Sequence, residues 1–110
     1  MSGVVWFEVP AQETARARSF YGRLLGWQFE PFEGNPEYHV AGEAGGAVHA
    51  GEGGAGLLVY FGVDDLAAAV AQVRELGGRA DDAQPIPGVG TYARCTDTEG
   101  NAFGLYQPAT

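Results

Sequence analysis

The chain has a single cysteine, Cys95. No disulfide can therefore form within it, and packing alone must hold the fold. A lone thiol also fits a reducing cytoplasm. No apolar run is long enough to span a bilayer. The N-terminus lacks the basic start and apolar core of a secretion signal, so a cytoplasmic protein is expected. Basic residues are scarce: 6 Lys and Arg stand against 14 Asp and Glu, a formal net charge of −8 over 110 residues. Phosphate binding needs a basic face, which argues against nucleic acid as a partner. The acidic balance serves solubility and would also suit a cationic ligand. The length suits one domain with a modest core.

What the chain does have is a repeated unit. Leu57 to Val63 is apolar and rich in β-branched and aromatic residues, which predicts a buried strand. Asp64 and Asp65 follow as candidate helix caps. Leu66, Ala69, Val70, Val73 and Leu76 then recur at helical spacing, and Gly77-Gly78 supplies the stop. Val4 to Val9 predicts an earlier copy of the strand. Thr14 to Leu25 predicts its helix, with Ala17, Phe20, Tyr21, Leu24 and Leu25 on one face and Gly26 as the stop. One constant offset carries Trp6 onto Leu58, Glu13 onto Asp65, Leu24 onto Leu76 and Gly26 onto Gly78. That agreement through strand, cap, helix and stop reads as an internal duplication.

Each helix is followed by short segments separated by turn residues, and many of the 18 glycines cluster there. In the first copy Trp27 to Glu30 alternates as a strand, Pro31 to Pro36 reads as a turn, and Tyr38 to Ala41 and Ala47 to Ala50 read as strands. Glu52 to Gly56 is the connector between copies, which sets module 1 at about residues 1–54 and module 2 at about 55–110. In the second copy Arg79 to Ala83 is a candidate strand and Gln84 to Gly88 a loop, because proline interrupts ladders. Gly90 to Thr96 and Ala102 to Gln107 are strands around the turn Asp97–Asn101. The expected fold is α+β: two tandem βαβββ modules forming a curved mixed sheet with a concave cleft and the helices outside. Alternation puts Val5, Phe7 and Val9 under the helix and Trp6 and Glu8 on the other face. In the second copy Val59, Phe61 and Val63 match the first set, and Leu58 and Tyr60 the second. Tyr92, Arg94 and Thr96 share a face, as do Gly104 and Tyr106. Cys95 is expected in the core and His39 at the surface.

Phe20-Tyr21 and Leu25-Gly26-Trp27 in the first copy, Val63 to Leu66 in the second, and Asp97 to Leu105 at the end together resemble the vicinal oxygen chelate superfamily. This is the group of glyoxalases, bleomycin resistance proteins and extradiol dioxygenases. The likeness covers nearly the whole chain and speaks for the fold more than for any one reaction. It implies a divalent metal on the concave face, with ligands from the first and last strand of each half. Matching the motifs puts those positions at Trp6, His49, Leu58 and Gly104, or at Ala47 if the register slips by two. Of the four, His49 alone can bind a metal, and an open catalytic site needs about three protein ligands. Glu8 could be recruited, but sits about 6–7 Å along the strand from the matched position. No cofactor is therefore expected.

The candidate ligand-binding residues are Trp6, Glu8, His49, Leu58, Tyr60, Tyr92 and Arg94. Each also has a plain structural reading. Trp6 could fill the space a metal would take, His49 could be a hydrogen-bonded strand residue, and Arg94 could pair with Glu8. Three functions compete. One is a small-molecule-binding protein without the usual metal, similar to the drug-sequestering bleomycin-resistance branch and suited to a cationic or amphipathic ligand. The others are a glyoxalase- or dioxygenase-like enzyme with atypical ligands, and a non-catalytic dimeric interaction module. The resemblance also implies a homodimer.

Overall fold

A computed structural model of the chain describes residues 2–54 and 56–109. Ala55, in the expected connector between the copies, lies outside the described residues. The chain divides into two compact units. One is Trp6–Leu57; the other runs from Leu58 onward and takes in the start of the chain through Val5. The first has a βαβββ plan and the second the same plan with one further short strand after the helix, so the class is α+β. No helix among the described residues is long and apolar enough to cross a membrane.

β1 (Val4–Ala11), which belongs to the first unit from Trp6 on, leads into α1 (Thr14–Leu25), followed by β2 (Glu30–Phe32), β3 (Asn35–Ala41) and β4 (Gly46–Ala50). β1 pairs in parallel with β4, while β4 with β3 and β3 with β2 are antiparallel. Val9, Ala11 and Val48 form the buried core, with Phe7, Ala17, Tyr21 and Phe29 packed against it. The helix ends at Gly26, whose φ of 75° is left-handed and whose N–H bonds Gly22 O. Only glycine takes that conformation freely.

The second unit repeats the plan with β5 (Leu58–Gly62), α2 (Leu66–Glu75), the short β6 (Arg79–Ala80) and β7 (Gln84–Ile86), then β8 (Gly90–Thr96) and β9 (Ala102–Pro108). β5 pairs in parallel with β9, and β8 is antiparallel to β9, β6 and β7. The core is Leu66, Val70, Ala93, Cys95 and Leu105. Burial pushes the Cys95 thiol above its ordinary range, and the nearby Asp81 adds to this, so it behaves as the small core residue expected. α2 is capped twice: Asp65 accepts from Ala68 N at 3.1 Å, and the Gln107 side chain accepts from Leu66 N at 2.7 Å. In the Asp97–Asn101 turn, the backbone and side-chain N–H groups of Asn101 hold the Asp97 carboxyl below its ordinary range.

Several local expectations need correction. Trp27 is not in a strand. Its ring stacks on Tyr21 at 5.1 Å and lies near Phe7 and Phe29, and this aromatic packing delays the strand to Glu30. The Pro31–Pro36 segment is mostly β2 and β3, with the turn confined to Glu33-Gly34. The Pro85 segment is a strand after all, because β7 lies at an edge where proline is tolerated. Phe20, Leu24 and Leu25 are exposed, and Ala17 and Tyr21 carry the buried helix face. Leu57, 56% exposed, precedes its strand. In the second copy Gly77 takes the positive φ of 95° in place of Gly78.

His39, expected at the surface, is only 9% exposed. It pairs with Val48 of the core, on the strand face that also carries Glu37, which accepts from Thr14 of α1 at 3.0 Å. Burial lowers its pKa, Arg18 lowers it further, and Glu37 opposes them. The folded chain thus favours the neutral imidazole more than the unfolded chain does. That stability is present in full above the ordinary histidine value of 6.5 and is lost as pH falls through it toward the lower folded value. Urea titrations between about pH 7.5 and 5.5 should show a falling midpoint that flattens in His39→Gln, the single-proton slope being at most about 1.4 kcal/mol per pH unit. An equal slope in both proteins would remove His39 from the account.

Candidate functional site

The strand face opposite α1 carries the polar chemistry of the first unit. Alternation along β1, β3 and β4 brings Trp6, Glu8, Tyr38, Val40, Ala47 and His49 to that face. The register aligns Glu8, Ala47 and Val40 in one row and Pro10, His49 and Tyr38 in the next. Tyr38 is the hub. Its hydroxyl accepts from Trp6 Nε1–H at 2.9 Å and donates to Glu8 Oε2 at 2.6 Å. The His49 ring stacks on the Tyr38 ring, with centroids 5.8 Å apart and planes 21° apart. Phe32 meets the Tyr38 ring edge-on at 5.7 Å. Glu8 is only 7% exposed. A buried carboxylate must have a polar partner, and the Tyr38 hydroxyl is one.

His49 Nδ1 lies 2.9 Å from Ala50 O. A carbonyl can only accept, so Nδ1 carries the proton of the neutral ring and Nε2 is an acceptor. Tyr38 is the member of this cluster that strand alternation alone passes over. The cue for it was its pairing opposite His49, which only the register supplies.

In the second unit Tyr60, Gly104 and Arg94 lie level across three strands, with Gly62, Tyr106 and Tyr92 one row along. Tyr60 is 6% exposed and meets Tyr92 edge-on at 6.3 Å. A Cβ built on Gly104 would overlap the Tyr60 ring. Leu58 opens the same strand, two residues before Tyr60. The sheets thus bring Trp6, Glu8 and His49 together in one unit, and Tyr60, Tyr92 and Arg94 in the other. Two surface cavities of the first unit, of about 490 and 520 Å³, flank α1 near Trp27 and near Phe20. Neither is lined by Trp6, Glu8 or His49.

The registers correct one placement. Tyr60 corresponds to Glu8 in the repeat. Tyr60 is level with Gly104, and Glu8 is level with Ala47. Ala47 is therefore the counterpart of Gly104, and His49 lies two residues beyond it. The four matched positions become Trp6, Ala47, Leu58 and Gly104, none of which offers a metal donor. Among the described residues no group of three or more His, Cys, Asp or Glu could hold a metal ion. The donor set does not fit the divalent metal that the resemblance implies.

A family model described as a glyoxalase-like domain matches residues 5–106. Among solved structures, methylmalonyl-CoA epimerase from Mycobacterium tuberculosis is similar with a TM-score of 0.69 at 16% identity, covering 98% of this chain and 89% of that one. A glyoxalase/bleomycin resistance protein/dioxygenase superfamily member from Vibrio splendidus 12B01 gives 0.68 at 17% identity, covering 97% and 99%. The 2,2',3-trihydroxybiphenyl 1,2-dioxygenase from Sphingomonas wittichii strain RW1 gives 0.62 at 19% identity, covering 98% of this chain but 40% of that one. No curated protein matches the chain. At these identities the likeness is one of fold.

Proposed function

The chain belongs to the glyoxalase-like domain family, and from that premise we propose that it binds a small molecule without the divalent metal associated with the fold. The observation that carries this reading is the Trp6–Tyr38–Glu8 relay on a strand face whose matched metal positions hold no donor. Trp6, Tyr38 and His49 supply aromatic surface, and Glu8 supplies a negative charge beneath it. Together with the net charge of −8, this suits an amphipathic cation, which aromatic faces and a carboxylate attract in concert. The metalloenzyme alternative needs Glu8 and His49 to converge on one ion. They lie in different rows of the sheet, and Glu8 Oε2 already accepts from Tyr38.

Benzylammonium is a suitable first probe. Chelator-treated protein should show a saturable change in tryptophan fluorescence on titration, and Trp6→Ala should lose it while Trp27 remains. Elemental analysis of the protein as purified should give far less than one zinc, nickel, iron or manganese per chain. A near-stoichiometric metal that disappears in His49→Ala would overturn the metal-independent reading, and an unresponsive wild type would overturn binding of this cation class.

A further inference from the structure

The geometry points to His49 Nε2 as the atom that selects among cations: it favours ligands that carry an N–H over quaternary ammonium ions. This rests on the binding reading above and goes further, because it names the ligand chemistry. The side-chain protons on this face can be accounted for one by one. Trp6 Nε1–H is given to the Tyr38 hydroxyl, and the Tyr38 proton is given to Glu8. The Nδ1 proton of His49 is given to Ala50 O. Each of these side-chain donors is committed inside the protein. His49 Nε2, by contrast, has no hydrogen-bond partner among the described residues.

Two contacts fix where that lone pair points. The Nδ1 bond sets the ring's rotation at one edge, and the Tyr38 ring lies against its face at 5.8 Å. His49 is half-buried, so Nε2 can be reached from outside while the ring stays anchored. A face whose donors are spent and whose fixed free group is an acceptor is complementary to a donor. A protonated primary or secondary amine, an amidine or a guanidine supplies one along with its charge. A quaternary ammonium ion has the charge alone, and would leave Nε2 covered and unpaired, which is unfavourable.

Benzylammonium and benzyltrimethylammonium form the test pair, measured by calorimetry above the histidine titration range. Wild-type protein should bind benzylammonium on the order of tenfold more tightly, the ratio that one hydrogen bond to a charged donor supplies. His49→Phe keeps the ring stack and should abolish the preference by weakening benzylammonium alone. A readout on the unaltered chain guards against misfolding of that variant. In ¹⁵N-histidine spectra benzylammonium should move the Nε2 resonance of His49, and benzyltrimethylammonium should leave it in place. Equal binding of the two cations by wild type, or a preference that persists in His49→Phe, overturns the His49 assignment and leaves the binding reading standing. Failure of both cations to bind overturns that reading, and this inference with it.

Discussion

Gly104→Ala should lower the stability of the protein by about 2–3 kcal/mol, the upper range for overpacking a filled site. The backbone tolerates the change, since Gly104 is not among the glycines with positive φ. The obstacle is steric. The new Cβ would overlap Cδ2 and Cε2 of Tyr60, with Cγ at 2.9 Å. That ring has little room to leave, being 6% exposed and held edge-on against Tyr92. Urea titration should show a lower midpoint with an unchanged slope. Shrinking the neighbour should relieve the penalty: in a Tyr60→Leu background, Gly104→Ala should be milder by about 1 kcal/mol or more, as expected of residues in direct contact. A variant within about 0.5 kcal/mol of wild type would mean that the ring moves freely. The same geometry bears on function. Gly104→Glu would not restore a ligand at this matched position, because Tyr60 occupies the space, and it should destabilise more than alanine does.

The duplication was legible because its signals are local. Apolar runs, helical spacing and glycine stops each depend on a few neighbouring residues, and they placed α1 from Thr14 to Leu25. Face assignment also carried over for Val9 under the helix, Glu8 opposite and Cys95 in the core, while Val5, expected beside Val9, is exposed. What failed depends on contacts far apart in sequence. Trp27 alternates with its neighbours like a strand residue, yet Tyr21 and Phe7 capture its ring. His39 alternates away from Tyr38 and Val40, which says only that it faces the other side, and that side is buried, with Arg18 of α1 close enough to act on it. Motif matching leaves both His49 and Ala47 open, whereas strand pairing decides between them. Tyr38 was passed over for the same reason. A tyrosine becomes a hub only through what lies across the sheet from it.

Tyr38→Phe should therefore cost more than its single lost oxygen suggests. The hydroxyl makes two bonds at once, one to the Trp6 indole N–H and one to the Glu8 carboxylate. A hydrogen bond to a charged group contributes about 1.5–3 kcal/mol and a neutral one about 1. Tyr38 is half-buried, so a total loss of about 2–4 kcal/mol is expected. Glu8→Gln should be milder, near 1 kcal/mol, because the amide oxygen can still accept from Tyr38. Combining the two changes should add little to Tyr38→Phe alone, since both act on the same bond. The indole proton gives a direct check. In the proton spectrum of Tyr38→Phe the Trp6 Nε1–H resonance should shift, while that of Trp27, packed against Tyr21 and Phe29, should stay in place. If stability is unchanged and the Trp6 resonance does not move, the relay does not exist in solution. The strand face would then lose the fixed proton inventory on which the preference for N–H cations depends.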